Sequence, residues 1–238
     1  MQSGKKLIIF DLDGTLINSV GIWNEVDRRY IAAFGHSADG VDVQAQRDAK
    51  MREFKSSNDP YRDYCAFMGK KYGSSLSADE LVKLRYSIAD ELVANEVDYK
   101  PYADVFLREL KKRGYTMVIA STTLRENLKV YLTRNQNIIS KAPLDQVFDA
   151  IYTREDASEM KPSPEIYLKV LHDFNAKAEE CIIFEDSLIG IEAANAAGID
   201  AVAMYDENSA SDKEELARRA VAYFESYKQL MEKLKWEF

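Results

Sequence analysis

Two aspartates separated by one residue follow the first apolar run of the chain. Asp11 and Asp13 come directly after residues 7–10, and Gly14 permits a sharp turn behind them. Because residues two apart in an extended chain point the same way, both carboxylates can face one cavity. Ionised carboxylates about 4 Å apart repel by about 4 kcal/mol at an effective dielectric constant of roughly 20. The pair therefore indicates a bound cation or a shared proton, with a simple acidic turn as the alternative.

A second acidic pair, Glu185 and Asp186, follows the apolar run 181–184. Sites in open parallel sheets form at the carboxyl ends of the strands, so this pair can join the first one there. Three or four converging carboxylates would make the oxygen-rich site that Mg²⁺ prefers. Capping of the next helix would explain one of the two acids, but not both.

A lysine and a group of hydroxyls complete the candidate chemistry. Lys161 precedes a proline, which favours an extended backbone at that position, and its charge would offset the acids and attract phosphate. Ser121 and Thr122 follow the run 117–120, where hydroxyls and free backbone N–H groups suit phosphate oxygens. A solvated loop lysine and an ordinary helix N-cap are the alternatives. A serine nucleophile is not expected, because no histidine stands nearby to act as its base.

Short apolar runs alternate with helical patterns through most of the chain. The runs are 7–10, 117–120, 147–152, 181–184 and 201–204, and the helical patterns are 103–113, 125–133, 164–174 and 188–197. This alternation is typical of a parallel sheet covered by helices on both faces. We predict an α/β fold with a Rossmann-like parallel sheet. The tail, 211–234, has a helical period, although 220–224 can equally form a short edge strand.

The segment 18–98 interrupts the alternation, because it contains no convincing strand. Helical periodicity covers 23–34, 60–72 and 78–97, with Ser77 as a candidate N-cap. We predict a core domain made of residues 1–17 and 99–238, and an all-helical cap domain, 18–98, inserted after the first strand.

Taken together, these segments resemble the haloacid dehalogenase superfamily, in particular its phosphatase and phosphomutase branch. The matching elements, in chain order, are the Asp-x-Asp-Gly-Thr segment at 11–15, the strand ending in Ser121, the lysine–proline pair at 161–162, and the acidic pair at 185–186 with the Ser-x-x-Gly continuation. The resemblance spans the whole chain and implies a core of that superfamily's fold with a helical cap. Asp13 separates the chain from the dehalogenases, which lack the second acid.

The resemblance also implies a role for each matching residue. Asp11 resembles the nucleophile that becomes an aspartyl phosphate, and Asp13 resembles the general acid and base. Mg²⁺ would be held by the Asp11 carboxylate, the backbone carbonyl of Asp13 and Asp186, with Glu185 adjacent or bridged by water. The phosphoryl oxygens would be bound by Ser121, Thr122 and Lys161.

The predicted function is a Mg²⁺-dependent phosphatase for a small phosphomonoester such as a sugar phosphate or phosphoglycolate. A sugar phosphomutase of the β-phosphoglucomutase type is the alternative, although Ile22 and Trp23 stand where that branch has a cap histidine. A signalling receiver with a phosphorylated aspartate is a third possibility, but receivers are about half as long and lack the helical insertion.

Composition limits the partners. The net charge of −8 argues against nonspecific binding to nucleic acid. The two cysteines and two histidines do not have zinc-ligand spacing, and no apolar run is long enough for a signal peptide or a membrane span. We expect a cytoplasmic protein that binds a small phosphorylated metabolite and neither nucleic acid nor membrane, and that is a monomer, with a homodimer left open.

Overall fold

A computed structural model describes residues 6–54 and 56–235 of the chain. The chain divides into two compact units: Gly21–Asn95 forms one, and the segments up to Val20 and from Glu96 onward form the other. The predicted insertion, 18–98, is three residues longer at each end than the smaller unit. Its assignment as a cap domain stays a prediction.

Six strands form one parallel sheet within the described residues of the larger unit. In chain order the strands are β1 (Leu7–Phe10), β2 (Thr116–Ala120), β3 (Ala150–Tyr152), β4 (Cys181–Glu185), β5 (Asp200–Met204) and β6 (Ala222–Phe224). Their order across the sheet is β3-β2-β1-β4-β5-β6, and every neighbouring pair is parallel. The predicted α/β fold with a parallel sheet is therefore confirmed.

Both faces of the sheet are buried, which explains why its strands have continuous rather than alternating apolar runs. On one face, Ile9 and Ile183 pack with the helices that follow β3 and β4. On the other face, the rings of Phe10 and Phe184 stack with centroids 4.9 Å apart, and Phe106 meets Phe10 edge-on. The central strands are thus held rigidly at the point where their carboxyl ends carry the acids.

The helices of the larger unit are α5 (Ala103–Lys112), α6 (Arg125–Thr133), α7 (Gln136–Lys141), α8 (Leu144–Val147), α9 (Glu165–Asp173), α10 (Leu188–Ala196), α11 (Lys213–Arg219) and α12 (Tyr227–Lys233). The predicted strand 147–152 is too long, because Val147 ends α8 and only its last three residues pair with β2. Residues 222–224 form an edge strand, which confirms the alternative left open for 220–224, and a final helix follows it. A strand there covers the edge of β5 that would otherwise stay unpaired.

The smaller unit is helical throughout its described elements: α1 (Ile22–Ala33), α2 (Val43–Glu53), α3 (Pro60–Lys71) and α4 (Ala78–Asn95). Its core joins Tyr30, Cys65 and Met68, which come from α1 and α3 and are buried. The helix α2 was not predicted, because it buries only Val43 and so has no apolar stripe. Its start depends on Asp42, whose side chain accepts a hydrogen bond from the Ala45 amide.

Candidate active site

The four segments singled out from the sequence meet at the carboxyl edge of the sheet. Asp11 directly follows β1, Ser121 directly follows β2, and Glu185 is the last residue of β4. Because β1 lies between β2 and β4, these residues come from three adjacent strands. Lys161 lies in the loop after β3 and reaches the same place by its long side chain, as its contacts with Asp11 and Glu185 show.

Lys161 is the centre of a buried ion cluster. Its ammonium lies 2.7 Å from Oδ1 of Asp11 and 2.7 Å from Oε1 of Glu185, and its side chain is only 2% exposed. Burial disfavours the charged lysine, but the carboxylates of Asp11 and Glu185 outweigh that effect and hold its pKa well above the usual value. The ring of Tyr167, 5.0 Å away, lies against the same ammonium. Lys161 is therefore a fixed cation and not the solvated loop lysine of the alternative interpretation.

Both oxygens of Glu185 accept hydrogen bonds from the protein. Oε1 accepts from Lys161 and, at 3.4 Å, from the hydroxyl of Tyr167. Oε2 accepts from the amides of Asp186 and Ser187 at 2.9 and 3.0 Å, and from the Ser187 hydroxyl. A side chain held in this way orients its neighbours, and we assign to Glu185 the positioning of Lys161.

The Ser187-x-x-Gly190 continuation keeps this packing tight. The Ser187 hydroxyl accepts from the Gly190 amide at 3.2 Å and so caps α10. A Cβ at Gly190 would lie 1.8 Å from Oε1 of Glu185, so that only glycine fits beside this carboxylate. Capping thus falls to Ser187, and both acids before it are left for other interactions.

Asp186 and Asp11 form the negative part of the site. Thr15 donates to Oδ1 of Asp186 at 2.7 Å, while Lys161 occupies Oδ1 of Asp11. Within the part of the chain that the structure describes, no donor is paired with the second oxygen of either carboxylate. Burial, together with the charges of Glu185 and Asp11, raises the pKa of Asp186 well above its usual value.

These acids fit a hard divalent cation. Burial raises the pKa of Asp11 to about 7, against the opposing effect of Lys161, so an additional positive charge would stabilise the ionised form. Among the described residues, no group of three His, Cys, Asp or Glu side chains is arranged to hold a metal. The donors available are two carboxylates and a backbone carbonyl, which suits Mg²⁺, since this ion usually keeps several waters.

Asp13 lies beside this cluster in a different environment. It is partly exposed, and the Ser19 hydroxyl donates a hydrogen bond to its Oδ1. Removal of water from most of the carboxyl raises its pKa, and the hydrogen bond from Ser19 opposes that shift. A carboxyl group with a raised pKa that can still reach a ligand is suited to proton transfer.

The hydroxyl of Ser121 is buried and free to donate. Its Oγ accepts from the Thr123 amide at 3.1 Å, and its backbone amide is bonded to the Tyr152 carbonyl in β3. Among residues 6–54 and 56–235, no acceptor is paired with the hydrogen of this hydroxyl, so it remains for an incoming oxygen. Thr122 is partly exposed in the same turn, where a phosphoryl oxygen can be reached by its backbone or side chain.

Ser19 and Tyr167 contact the predicted acids but were missed in the sequence. Ser19 lies beyond the recognisable segment, and no local spacing connects it to Asp13. Tyr167 stands six residues after Lys161, on the first turns of α9. Its helical period marks it as a core residue, so only the folded chain shows that its hydroxyl and ring meet Glu185 and Lys161.

A parallel sheet whose carboxyl edge carries paired acids and a buried lysine places the chain among the open-sheet α/β proteins, whose sites lie at the carboxyl ends of the strands. The sequence matches the haloacid dehalogenase-like hydrolases over residues 8–204, and the chain belongs to this family. The predicted membership of the phosphatase and phosphomutase branch is confirmed.

Two curated relatives carry the names of phosphate-releasing enzymes. The chain is 30% identical over 209 residues to the pyrophosphatase PpaX of Bacillus mycoides, with 83% of this chain and 82% of the relative covered. It is 25% identical over 206 residues to a bifunctional riboflavin kinase/FMN phosphatase of Arabidopsis thaliana, covering 85% of this chain. The aligned region is only 50% of that plant protein, so the chain spans about half its length. With the family match, these names confirm the prediction of a phosphoric monoester hydrolase.

Among solved structures, a protein provisionally assigned as a beta-phosphoglucomutase from Thermotoga maritima superimposes with a TM-score of 0.77. The sequences are 24% identical, and 97% of this chain and 98% of that chain are covered. A likeness at this identity shows that the two share a fold. Within the described residues, no helix is long and apolar enough to cross a membrane.

Proposed function

We propose that this protein is a Mg²⁺-dependent phosphatase that hydrolyses a small phosphomonoester, such as a sugar phosphate or phosphoglycolate, through a phosphorylated Asp11. The observation that carries the proposal is the Lys161 ammonium fixed 2.7 Å from Oδ1 of Asp11. This contact leaves the second oxygen of Asp11 as the available nucleophile and restrains its direction. A second acid stands two residues on, at Asp13.

In the first step, the free oxygen of Asp11 attacks the phosphorus of the ester in line with the leaving oxygen. A bond forms between Asp11 and phosphorus as the bond from phosphorus to the leaving oxygen breaks. Asp13, whose pKa burial raises, gives its proton to that oxygen, and a neutral alcohol departs. Lys161 and the hydroxyl of Ser121, with Thr122 beside it, bind the non-bridging oxygens and orient the transferred group.

In the second step, water hydrolyses the aspartyl phosphate. Asp13 is now ionised and takes a proton from the water as its oxygen attacks the phosphorus. The bond between phosphorus and the Asp11 oxygen breaks, which frees the carboxylate and inorganic phosphate. The proton returns Asp13 to its starting form, so the two steps close a cycle without any other acid or base.

The residues that would hold Mg²⁺ are Asp11, Asp186 and the backbone carbonyl of Asp13. When bound, the ion would neutralise negative charge on the phosphoryl group and on the carboxylates around it. Thr15 keeps one oxygen of Asp186 occupied and so presents the other. Glu185 would reach the ion through a bridging water, and its carboxylate also orients Lys161 and the Asp186 amide.

The substrate class is proposed from the chemistry of the site and from the relatives together. A pyrophosphatase and an FMN phosphatase among the relatives support a small phosphorylated metabolite as substrate. The charge of −8 does not oppose such a ligand, because the phosphate meets Lys161 and the metal rather than the surface. The family match and the presence of both Asp11 and Asp13 also support a phosphatase rather than a receiver domain.

The test is release of inorganic phosphate from a panel of small esters with Mg²⁺ present. The panel includes FMN, sugar phosphates and phosphoglycolate, with pyrophosphate for comparison. Asp11→Asn should lower turnover at least about a thousandfold while leaving the circular dichroism spectrum unchanged. No release from any ester by folded, Mg²⁺-loaded protein would refute the phosphatase.

The mutase alternative needs a separate measurement. The chain is incubated with β-glucose 1-phosphate and a trace of the bisphosphate, and both products are followed. We expect free phosphate with little glucose 6-phosphate. Glucose 6-phosphate accumulating without matching free phosphate would establish the mutase instead.

A further inference from the structure

The turn that carries Asp13 is held from behind by Lys100, a residue outside every segment discussed so far. The backbone amide of Lys100 donates to the Leu16 carbonyl at 2.8 Å. Its ammonium donates to the Gly14 carbonyl at 2.6 Å. One residue therefore binds two carbonyls of the turn that begins directly after Asp13.

The other contacts of the Lys100 ammonium anchor it to the sheet. It donates to the Tyr205 carbonyl and lies 3.0 Å from Oδ2 of Asp206, just past the end of β5. The side chains of Lys100 and Asp206 are 16% and 7% exposed. An ammonium has three donors, and here all three have partners. Lys100 is thus a fixed bridge between the Asp13 turn and β5.

A second remote residue holds the carbonyl between these two. The Tyr227 hydroxyl, at the start of α12, donates to the Thr15 carbonyl at 3.0 Å and is fully buried. Three consecutive carbonyls of the turn, those of Gly14, Thr15 and Leu16, are therefore each bound by a residue more than eighty positions away. Such contacts fix the position of the turn relative to β5 and α12.

The turn has no room to move toward the acids. A Cβ at Gly14 would lie 2.4 Å from Oδ2 of Asp186, so the backbone and the carboxylate already touch closely. If the contacts with Lys100 were lost, the turn would move away from Asp186 and Asp13 would move with it. Misplacement of a reacting group by about 1 Å can lower a rate about a hundredfold.

We propose that Lys100 is a positioning residue that holds Asp13 in place for proton transfer to the leaving group. The proposal rests on the phosphatase function proposed above. Lys100 touches neither Asp11 nor Lys161 in the described contacts, so it acts on the acid rather than on the nucleophile. The same turn carries the Asp13 carbonyl and packs against Asp186, two of the groups that would hold Mg²⁺. At saturating Mg²⁺, which is used in every assay below, loss of the Lys100 side chain should therefore affect proton donation more than phosphoryl transfer itself.

The surroundings of Lys100 allow a direct test by chemical rescue. Lys100 lines a cavity of about 340 Å³ together with Tyr99, Pro101, Tyr205 and Tyr227. Truncation to alanine would extend this cavity to the Gly14 carbonyl. A small alkylammonium ion could then enter and donate to the same carbonyls.

The first experiment compares wild type with Lys100→Ala on two esters, one with a poor alkyl leaving group and one activated aryl phosphate. We expect kcat to fall about 10- to 100-fold for the alkyl ester and much less for the aryl ester, because only the alkyl leaving group needs the proton. Propylammonium should restore the alkyl-ester rate with saturation, and propanol should not. Lys111→Ala, which removes a lysine paired with Asp149 at the opposite end of β2, is the control.

Equal losses on both esters, no loss on either, or no rescue of folded Lys100→Ala would overturn the proposal. If Lys100→Ala does not fold, Tyr227→Phe removes a single hydroxyl from the same turn and should show the same leaving-group dependence in weaker form. An equal effect of Tyr227→Phe on both esters would then count against the proposal.

A second readout does not depend on activity. In ¹⁵N-labelled protein, Lys100→Met should shift or broaden the amide signals of residues 13–16, while signals from α9 stay in place. If wild type releases no phosphate but these signals respond, the phosphatase is wrong and the positioning of the turn stands. Unchanged signals at 13–16 would overturn the role of Lys100 whatever the activity.

Discussion

The ammonium of Lys161 lies 2.7 Å from Oε1 of Glu185, and neither side chain is more than 2% exposed. The same ammonium is equally close to Asp11, so one cation is shared by two carboxylates. Removing one partner of a buried ion pair strongly destabilises the fold, because the remaining charge is left buried without compensation. The position of the proposed nucleophile therefore depends on a second acid, Glu185, which holds the same ammonium.

Glu185→Gln should destabilise the fold by about 2 to 4 kcal/mol. Both oxygens of Glu185 accept hydrogen bonds, and the NH₂ group that replaces one of them cannot accept and would face one of the donors. Those donors are the Lys161 ammonium on one side and the Asp186 and Ser187 amides on the other. The measurement is urea denaturation without metal. Glu225→Gln, at an exposed pair with Lys213, is the matched control and should change little. Equal effects of the two substitutions would contradict a buried role for Glu185.

Asp13→Asn should slow hydrolysis of esters with poor leaving groups by about 10² to 10⁴. Activated aryl phosphates, which leave without a proton, should lose much less in the first step. The measurement is kcat/KM across a series of esters whose leaving groups differ in pKa. A uniform loss across the series would assign Asp13 to binding or folding rather than to proton transfer.

Gly14→Ala tests the contact between the turn and Asp186. Gly14 has φ +85°, and Gly35 in the smaller unit has φ +80° with nothing within 4 Å of an added Cβ. Both substitutions should destabilise by about 1 kcal/mol for the left-handed backbone. Gly14→Ala alone should also weaken Mg²⁺ binding about tenfold or more, since its Cβ displaces Asp186. Titration calorimetry and thermal melts separate the two effects, and unchanged Mg²⁺ affinity in Gly14→Ala would exclude Asp186 as a ligand.

Mg²⁺ affinity should rise with pH up to about neutrality. Burial raises the pKa of Asp11 to about 7 in the metal-free protein, so below that pH the ion must displace a proton. The apparent affinity should then increase by up to about tenfold per pH unit from the Asp11 proton, with a further increase from Asp186, whose pKa is also raised. Calorimetry in buffers of different ionisation enthalpy would detect the released proton. A flat affinity from about pH 5.5 to 7.5 would show that Asp11 is already ionised.

The raised pKa of Asp11 also makes the free energy of unfolding depend on pH. Between its usual value of 3.8 and about 7, the folded metal-free protein holds a proton on Asp11 that the unfolded chain has lost. This contribution to stability is complete below the lower value and is lost as pH rises through the upper one. Added Mg²⁺ should offset the loss, because it binds the ionised form.

The sequence predicted where the candidate residues gather better than it predicted the bounds of the strands and helices. Asp11, Ser121 and Glu185 were found because each directly follows an apolar run, and parallel strands bring such ends together. Lys161 was found by the proline that follows it. The extent of the third strand was predicted less well, since Val147 is apolar in a helix as it would be in a strand. Periodicity also missed α2, which has almost no buried face.

What the sequence determined by itself was the set of candidate groups and the sheet edge on which they fall, because motif residues and strand ends are both local features of the chain. Tertiary structure alone decided that Asp11 and Glu185 both face Lys161. It also decided which hydroxyl bonds Asp13, and that Lys100 and Tyr227 bind the turn after Asp13. These contacts join residues far apart in sequence. These partners are determined by packing and by the burial of charge, and neither can be predicted from one segment of the sequence.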